Sequence, residues 1–313
     1  MPNGLKMPRF LTIIKEPGVR LQKPDWIRVK LPTGDNYVRM KSLLREANLH
    51  TVCEEANCPN IAECWGGGTA TFMLMGDTCT RGCKFCNVKV GNPQQVLDGD
   101  EPSKIAKAVK MLGLTYIVLT SVARDDLPDG GAEHIAKTVE AINIANPSIL
   151  VETLIPDFRG DVSALKRVIE SGVAVLAHNV ETVKRLTLSV RDRRAYYEQS
   201  LEVLRNAKSL KPDSITKSSI MLGLGETESE VIQTMADLRG VGVDAFTIGQ
   251  YLQPSRGHIP VAEYVHPQTF EKFRRIGEEM GFLYVASGPL VRSSYKAGEY
   301  YLENIIRSKR QDT

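Results

Sequence analysis

The chain of 313 residues contains no apolar run near the roughly 18 residues that a membrane-spanning helix needs. Residues 1–15 lack the apolar segment of a signal peptide and the Arg/Ser bias of a transit peptide, which predicts a cytoplasmic location. Aromatic residues make up only 6% of the chain and the net charge is +3, so the composition does not indicate nucleic-acid binding. We therefore expect a globular protein with neither membrane nor nucleic-acid partners.

Cysteine is absent from most of the chain. All six cysteines lie between Cys53 and Cys86. In a reducing compartment such crowding argues for metal ligation rather than for disulfides. The length fits one large or two small domains and is sufficient to bury a substantial core.

The second cysteine group reads Cys79-Thr-Arg-Gly-Cys83-Lys-Phe-Cys86, or C-x3-C-x2-C. Three thiolates on a compact loop suit one [4Fe–4S] cluster and leave its fourth iron without a protein ligand. An iron with an open position can bind and reduce a small molecule. The spacing resembles that of the radical S-adenosylmethionine enzymes.

Zinc and disulfides are the alternatives for this motif. Zinc sites usually contain two C-x2-C pairs, or one pair and a histidine pair, whereas only Cys83 and Cys86 form such a pair here. A disulfide framework is typical of short secreted chains. The pattern favours the cluster and leaves the alternatives open to metal analysis.

The first cysteine group, Cys53, Cys58 and Cys64, has the spacing C-x4-C-x5-C. A single buried cysteine often acts as an inert apolar side chain, but these three have acidic and amide neighbours. The regular spacing predicts a second cluster.

Short apolar and amphipathic segments alternate from Thr71 onward, which predicts buried parallel strands joined by helices. The predicted strands are 71–75, 116–120, 150–155, 173–177, 215–222 and 245–248. The predicted helices are 37–48, 103–112, 131–145, 161–171, 196–210, 228–239 and 267–280, followed by a short apolar segment at 282–286. Asp161 is a predicted N-cap, and Gly172 and Gly240 lie where C-caps are expected.

Six β/α units are compatible with a partial barrel or a doubly wound sheet. The cysteine motif directly follows the first strand, which favours the barrel because sites on such folds gather at strand C-terminal ends. We predict an α/β fold with a partial (β/α)6 TIM-type barrel over residues 71–286. Residues 1–70 form an N-terminal extension, beginning with a proline-rich extended arm over 1–36, and residues 287–313 form a C-terminal tail.

Two three-cysteine motifs in this order, followed by Arg292-Ser-Ser-Tyr295, closely resemble the lipoyl synthase family. The segments 51–56, 77–81 and 249–254 also match, so the resemblance covers nearly the whole chain. It implies a radical sulfurtransferase that inserts two sulfur atoms at C6 and C8 of an octanoyl chain on a lipoyl-carrier domain. The implied carriers are the 2-oxoacid dehydrogenase E2 or glycine cleavage H protein, and the implied electron donor is flavodoxin or ferredoxin.

The resemblance also implies two [4Fe–4S] clusters and S-adenosylmethionine as cofactors. Cys79, Cys83 and Cys86 would hold the cluster that reduces S-adenosylmethionine to give a 5′-deoxyadenosyl radical. The first cysteine group would hold an auxiliary cluster that is consumed as the sulfur source, with Ser294 as fourth ligand. A serine oxygen is an unusual ligand for such clusters, which fits a cluster that must be dismantled.

Four residues are weaker candidates for binding S-adenosylmethionine. Gly130 and Gly131 resemble a glycine pair that lets backbone approach the methionine amino group, with a plain turn as the alternative. Asn179 and Glu181 follow the fourth predicted strand, where helix capping is the alternative. Residues 219–225 are placed at the fifth strand's end, where they would border the cofactor. We interpret Arg191 as a surface salt-bridge residue, with pairing to the methionine carboxylate as the alternative. We nominate no general base.

Residues 1–52 carry ten Lys and Arg against four Asp and Glu. A solvated basic surface is the simpler interpretation. The resemblance adds the hypothesis that Arg20, Lys23, Arg28 and Lys30 help to dock an acidic lipoyl-carrier domain. Three other functions are alternatives: sulfur insertion into a free small molecule, as in biotin synthase; a non-catalytic iron–sulfur carrier; and a zinc-stabilised module.

Overall fold

A computed structural model of the chain describes residues 21–28, 35–47, 49–55, 58–66 and 71–294. Among these residues, no helix combines the length and the apolar character required to cross a bilayer. The predicted extended arm over 1–36 lies outside the described residues except at 21–28 and 35–36. The last two belong to the first helix, which therefore starts two residues before the predicted position 37.

The helices of the described residues, α1 to α10, are Asp35–Glu46, Val52–Glu55, Ile61–Gly66, Glu101–Leu112, Ala132–Ala145, Val162–Glu170, Thr187–Val190, Tyr197–Leu210, Glu228–Gly240 and Pro267–Glu279. The strands, β1 to β10, are His50–Thr51, Thr71–Leu74, Thr78–Cys79, Lys89–Val90, Tyr116–Ser121, Leu150–Leu154, Val175–Ala177, Ile215–Leu222, Ala245–Gln250 and Tyr284–Gly288.

The main sheet has the strand order β1-β2-β5-β6-β7-β8-β9-β10. Strands β2 and β5 to β10 are parallel to one another, while the edge strand β1 is antiparallel to β2. The parallel strands follow one another in chain order, without the reversal that defines a doubly wound sheet. The α/β fold is confirmed, with barrel-type winding that is open between β1 and β10 in the described residues.

Helices α4, α5, α6, α8, α9 and α10 each connect two successive parallel strands, as the predicted β/α units require. The final strand, β10, was predicted only as a short apolar segment; it pairs along β9 from Tyr284 opposite Ala245. The sheet therefore has seven parallel strands in the described part of the chain rather than six.

Of the three residues predicted at helix termini, two lie where local sequence rules place them. The Asp161 carboxylate accepts hydrogen bonds from the Ser163 and Ala164 amides, which confirms it as the N-cap of α6. Gly172, with φ +92°, follows α6 as expected. The expectation for Gly240 was wrong, because it is the last residue of α9 and Gly242, with φ +85°, makes the turn.

The amino-terminal end of the barrel interior is closed by apolar side chains and one buried ion pair. The apolar side chains are Tyr116, Val118, Leu150, Val175, Ile215 and Ala245. Lys217 Nζ lies 2.8 Å from Glu152 Oε1, and the Tyr116 hydroxyl donates to Glu152 Oε2 at 2.6 Å. A packed floor at this end leaves the carboxyl ends of the strands as the place for a site.

Candidate functional site

The cysteine loop (residues 79–86) starts at the carboxyl end of β2, as predicted. Met75 and Gly76 turn the chain with φ +67° and +84°, and the Met75 amide donates to Glu101 Oε2 at 2.9 Å. Cys79 then lies in β3, which pairs with β4. The turn and the short pairing place all three cysteines of the loop at the strand ends, where they are half-buried.

Backbone amides donate to two of the three sulfur atoms in the cysteine loop. Cys79 Sγ accepts from the amides of Arg81 at 3.4 Å and Ala123 at 3.3 Å, and Cys83 Sγ accepts from Asp192 at 3.3 Å. Such donors stabilise thiolate charge, and hydrogen bonds to sulfur also tune iron–sulfur clusters. Ala123 follows β5 and Asp192 follows α7, so separate segments support the loop.

Arg81 anchors the cysteine loop to the two neighbouring strand ends. Its guanidinium donates to both oxygens of Asp125, at 2.8 and 2.9 Å, and to both oxygens of Asp157, at 2.6 and 2.7 Å. Burial alone would raise the pKa of Asp157, but hydrogen bonds and charge from Arg81 lower it to about 2. Arg81, Asp125 and Asp157 are not among the predicted site residues, although both aspartates closely follow predicted strands.

A second site, the seam cavity, lies between the amino-terminal segment and the tail after β10. The cavity is lined by Val52, Cys53, Cys58, Asn60, Cys64, Thr71, Arg292 and Ser294. Thr71 Oγ1 donates to Ser294 Oγ at 3.0 Å, and Asn60 Nδ2 donates to the Leu290 carbonyl at 2.6 Å. The structure therefore brings the first cysteine group together with the predicted serine from the far end of the sequence.

None of the six cysteines forms a disulfide, and burial makes most of their thiolates costly. Burial raises the pKa of Cys53 and of Cys86 to about 12 each, and it also raises the pKa of Cys58 and of Cys83. Trp65 favours the Cys53 thiolate, although its buried Nε1 makes no hydrogen bond of normal geometry. Cationic iron would compensate buried thiolate charge, so these donor sets fit clusters.

In the described ranges, no three or more His, Cys, Asp or Glu side chains are arranged around one metal ion. A [4Fe–4S] cluster places its cysteine ligands on separate iron atoms, so its sulfur atoms need not meet at one point. The fit of the two sites to clusters therefore depends on the donor sets and burial described above.

Asn179 and Glu181 follow β7; Asn179 is buried and Glu181 is half-buried. Asn179 Nδ2 donates to Glu181 Oε1 at 3.1 Å, while Asn179 Oδ1 has no hydrogen-bond partner among the described residues. Burial raises the pKa of Glu181, opposed by the charge of Arg191 and the hydrogen bond from Asn179. Glu181 also has φ +66° and bridges to Ile220 of β8, so its backbone is held in an uncommon conformation.

Arg191 is not a surface salt-bridge residue, so that interpretation was wrong. It is 7% exposed, and its Nη1 donates to Ser200 Oγ at 2.8 Å. Ser200 Oγ lies 2.9 Å from His178 Nε2, and His178 Nδ1 lies 2.9 Å from the Ile155 carbonyl. Arg191 Nε has no partner in the part of the chain that the structure describes. A polar ligand with carboxylate, amino and hydroxyl groups would satisfy this atom and Asn179 Oδ1, which fits S-adenosylmethionine.

Gly130 and Gly131 lie between β5 and α5, with φ +63° and +89°. A Cβ on Gly131 would stand 2.3 Å from Met75 Sδ, and a Cβ on Gly130 would stand 3.1 Å from a Phe158 ring carbon. Turn geometry and packing therefore account for both glycines without a ligand. Their approach to S-adenosylmethionine stays a prediction.

The predicted segment 219–225 divides into two parts. The Ser219 carbonyl accepts from the Glu181 amide at 3.0 Å, next to the pair of residues just described. Gly223 instead packs against residue 263, because a Cβ on Gly223 would stand 2.4 Å from the Glu263 carbonyl oxygen. The Met221 amide likewise donates to the Glu181 carbonyl at 2.9 Å, so the first part of this segment lies beside Glu181.

Comparison with known proteins first defines the class. The Radical SAM superfamily model matches residues 73–238, and a model described as the N-terminal domain of lipoyl synthase of the Radical_SAM family matches residues 11–58. A crystal structure of methylornithine synthase (PylB) has a similar fold, with TM-score 0.52 at 14% identity, covering 85% of this chain and 82% of that one. The chain is thus a radical S-adenosylmethionine enzyme with [4Fe–4S] clusters.

The particular family follows from relatives. The chain is 57% identical to mitochondrial lipoyl synthase of Danio rerio over 95% of this chain and 76% of the relative. It is 56% identical to mitochondrial lipoyl synthase of Homo sapiens over 95% of this chain and 81% of the relative. The chain belongs to the lipoyl synthase family. This membership decides against the free-substrate enzyme, the non-catalytic carrier and the zinc module.

Proposed function

We propose that the cysteine loop and the seam cavity hold the two clusters of a lipoyl synthase. Cys79, Cys83 and Cys86 would bind the cluster that accepts S-adenosylmethionine. The auxiliary cluster would be bound by Cys53, Cys58, Cys64 and Ser294. The reaction is the insertion of two sulfur atoms at C6 and C8 of a protein-bound octanoyl chain, with the auxiliary cluster as sulfur donor.

One observation carries this assignment: β2 contributes to both sites. The cysteine loop follows the last residue of β2, and Thr71, its first residue, lines the seam cavity. A strand of four residues spans roughly 10 Å. Both sites are thus attached to one rigid element, and we propose that the octanoyl chain lies between them.

When bound, S-adenosylmethionine and the two clusters supply the electron transfer, the hydrogen abstraction and the sulfur that side chains cannot supply. The protein binds and orients the reactants and excludes water from the site. Arg81 fixes the cysteine loop on the strand ends, and the amides of Ala123 and Asp192 hold two of its sulfur atoms. No side chain is assigned a proton-transfer role.

The proposed contacts to S-adenosylmethionine are Asn179, Glu181, Gly130 and Gly131. The buried, unpartnered oxygen of Asn179 supports this proposal. A carboxylate at Glu181 suits an amino group or ribose hydroxyls. Arg191 joins this set, because its unpartnered Nε suits a carboxylate.

The substrate is a lipoyl-carrier protein, and we propose the E2 and H-protein carriers and a flavodoxin or ferredoxin donor. Lys23 and Arg28 are exposed, but Arg28 pairs with Asp25, which offsets part of the charge proposed for carrier docking. Arg20 and Lys30 lie outside the described residues. The division into 1–70, 71–286 and 287–313 and the cytoplasmic location stay proposals; the relatives named above are mitochondrial enzymes.

The test is an anaerobic reaction of the reconstituted protein with an octanoyl-lysine carrier domain, S-adenosylmethionine and dithionite, analysed by mass spectrometry. We expect the carrier to gain two sulfur atoms in the unmodified protein. Ser294→Ala should alter the auxiliary cluster's Mössbauer or EPR signature and leave S-adenosylmethionine cleavage intact. An unchanged signature would remove Ser294 from the ligand set.

A further inference from the structure

The outer side of the cysteine loop carries cations without counter-charges. Lys84, Arg193 and Arg256, here called the basic rim, are exposed and make no ion pair or side-chain hydrogen bond in the described residues. Nearby acids are already neutralised: Asp192 accepts from the Gly82 amide at 2.9 Å and pairs with Arg194 at 2.8 Å. The rim is therefore a region of uncompensated positive charge.

Backbone hydrogen bonds hold the basic rim against the loop. The Lys84 amide donates to the Val190 carbonyl at 2.9 Å, and the Ile259 amide donates to the Lys84 carbonyl at 3.3 Å. His258 Nε2 lies 3.0 Å from the Cys86 carbonyl. Residues 190–194 and 255–259, which carry the two arginines, thus dock on the same loop as the cysteines.

The basic rim is next to the half-buried Cys83 and to exposed apolar side chains. Gly82 is exposed and Cys83 is half-buried. Leu188 is 67% exposed and Val90 is 60% exposed, and Val90 is the nearest side chain to the Cβ position of Gly82, at 3.9 Å. Small interfaces in which charges steer and a few apolar groups make contact are typical of transient electron-transfer complexes.

We propose that the basic rim is the docking surface for an acidic one-electron carrier protein. This inference rests on the proposed function, in that Cys79, Cys83 and Cys86 hold the cluster to be reduced. One electron would pass from the reduced carrier protein to the cluster. The carrier is thereby oxidised by one electron, the cluster is reduced by one electron, and no covalent bond is made or broken. A lipoyl-carrier domain, also acidic, must instead deliver its lysine arm between the two cysteine sites, whereas electron transfer needs only close approach to the loop.

The test is stopped-flow oxidation of reduced flavodoxin, used as the acidic carrier, by the reconstituted enzyme. Arg193→Glu with Arg256→Glu should lower the second-order rate constant by about tenfold or more at low salt. The difference should shrink at high ionic strength. Lys107→Glu with Lys110→Glu changes the net charge equally and is the matched control, because both lysines are exposed on α4 and make no ion pair or side-chain hydrogen bond in the described residues. This variant should leave the rate close to that of the unmodified enzyme.

Equal rates for the rim variant and the unmodified enzyme would overturn the proposal. Dithionite-driven turnover separates the alternatives, because this reductant needs no docking surface. A raised KM for the octanoyl carrier in the rim variant under dithionite would assign the rim to the carrier instead and would also overturn the proposal. Absence of sulfur insertion in the unmodified enzyme would contradict the proposed function. The flavodoxin oxidation rates would still show whether the basic rim is the docking surface.

Discussion

The cysteine loop is supported by three strand ends and by a buried charge network, whereas the seam cavity joins two segments more than two hundred residues apart in sequence. In the loop, Arg81 alone makes four charge-assisted hydrogen bonds. Across the seam, the described side-chain links to the tail are those of Thr71 and Asn60. The difference indicates that the barrel itself fixes the first site, while the second is assembled where the amino-terminal segment meets the tail.

The largest expected effect separates the two sites by chemistry. Cys83→Ala should abolish S-adenosylmethionine cleavage, and Cys58→Ala should retain cleavage but stop sulfur insertion. Each variant should contain about four rather than about eight iron atoms per chain, because each loses one cluster. Iron and sulfide analysis, with quantification of 5′-deoxyadenosine, gives the answer. If Cys58→Ala also abolished cleavage, the two sites would not be independent.

The second effect tests the buried network of the loop. Arg81→Gln leaves the fully buried Asp157 carboxylate without its partner, and removal of one member of a buried pair costs roughly 3–5 kcal/mol. Arg185→Gln is the matched control: Arg185 contacts Glu230 through two nitrogens but is 55% exposed, so about 1 kcal/mol or less is expected. Anaerobic denaturant unfolding measures both, and similar losses would refute a special role for the network.

The third effect is a pH dependence. Burial and the charge of Arg191 lower the pKa of His178 to about 4, so folding favours neutral imidazole. The resulting stability is present above the unfolded pKa near 6.5 and is lost as pH falls toward 4, amounting to about 2 kcal/mol between pH 7 and pH 5. His178→Gln, which lacks this titration, should have a flatter stability curve over that range. Parallel curves would show that His178 does not titrate there.

The smallest effect concerns the seam. Thr71→Val removes the hydrogen bond to Ser294 and should cost about 1 kcal/mol. Thr247→Val is the matched control, because Thr247 is also buried in a strand and its hydroxyl has no partner in the described residues. Thermal unfolding should shift for the first variant and stay unchanged or rise for the second. The reverse order would mean that the tail is held by other contacts.

Local sequence patterns predicted most of the barrel, because buried parallel strands read as continuous apolar runs. The predicted strand 215–222 agrees with the structure at both ends. The two-residue strand β1 is too short to show an apolar pattern in the sequence. The Arg81 network joins side chains that are 44 and 76 positions apart in the sequence. Such pairings depend on strand order, which residue spacing along the chain does not contain.

The same limit explains the errors at the site. Arg191 stands in a run of polar residues and therefore resembles surface sequence, yet the structure buries it against Ser200. Both cysteine groups were found because their members are close in sequence. Ser294 is far from its partners, and only the resemblance to a family placed it with them.

The composition of the seam cavity also imposes an order on biosynthesis. Its walls come from residues 52–71 and 292–294, so the ribosome must synthesise the whole barrel before the cavity can close. The cysteine loop and the segments that hold it, which end at Ile259, emerge earlier. If the two sites hold clusters as proposed, the loop can bind its cluster before the tail is made, whereas the auxiliary cluster must await release of residues 292–294.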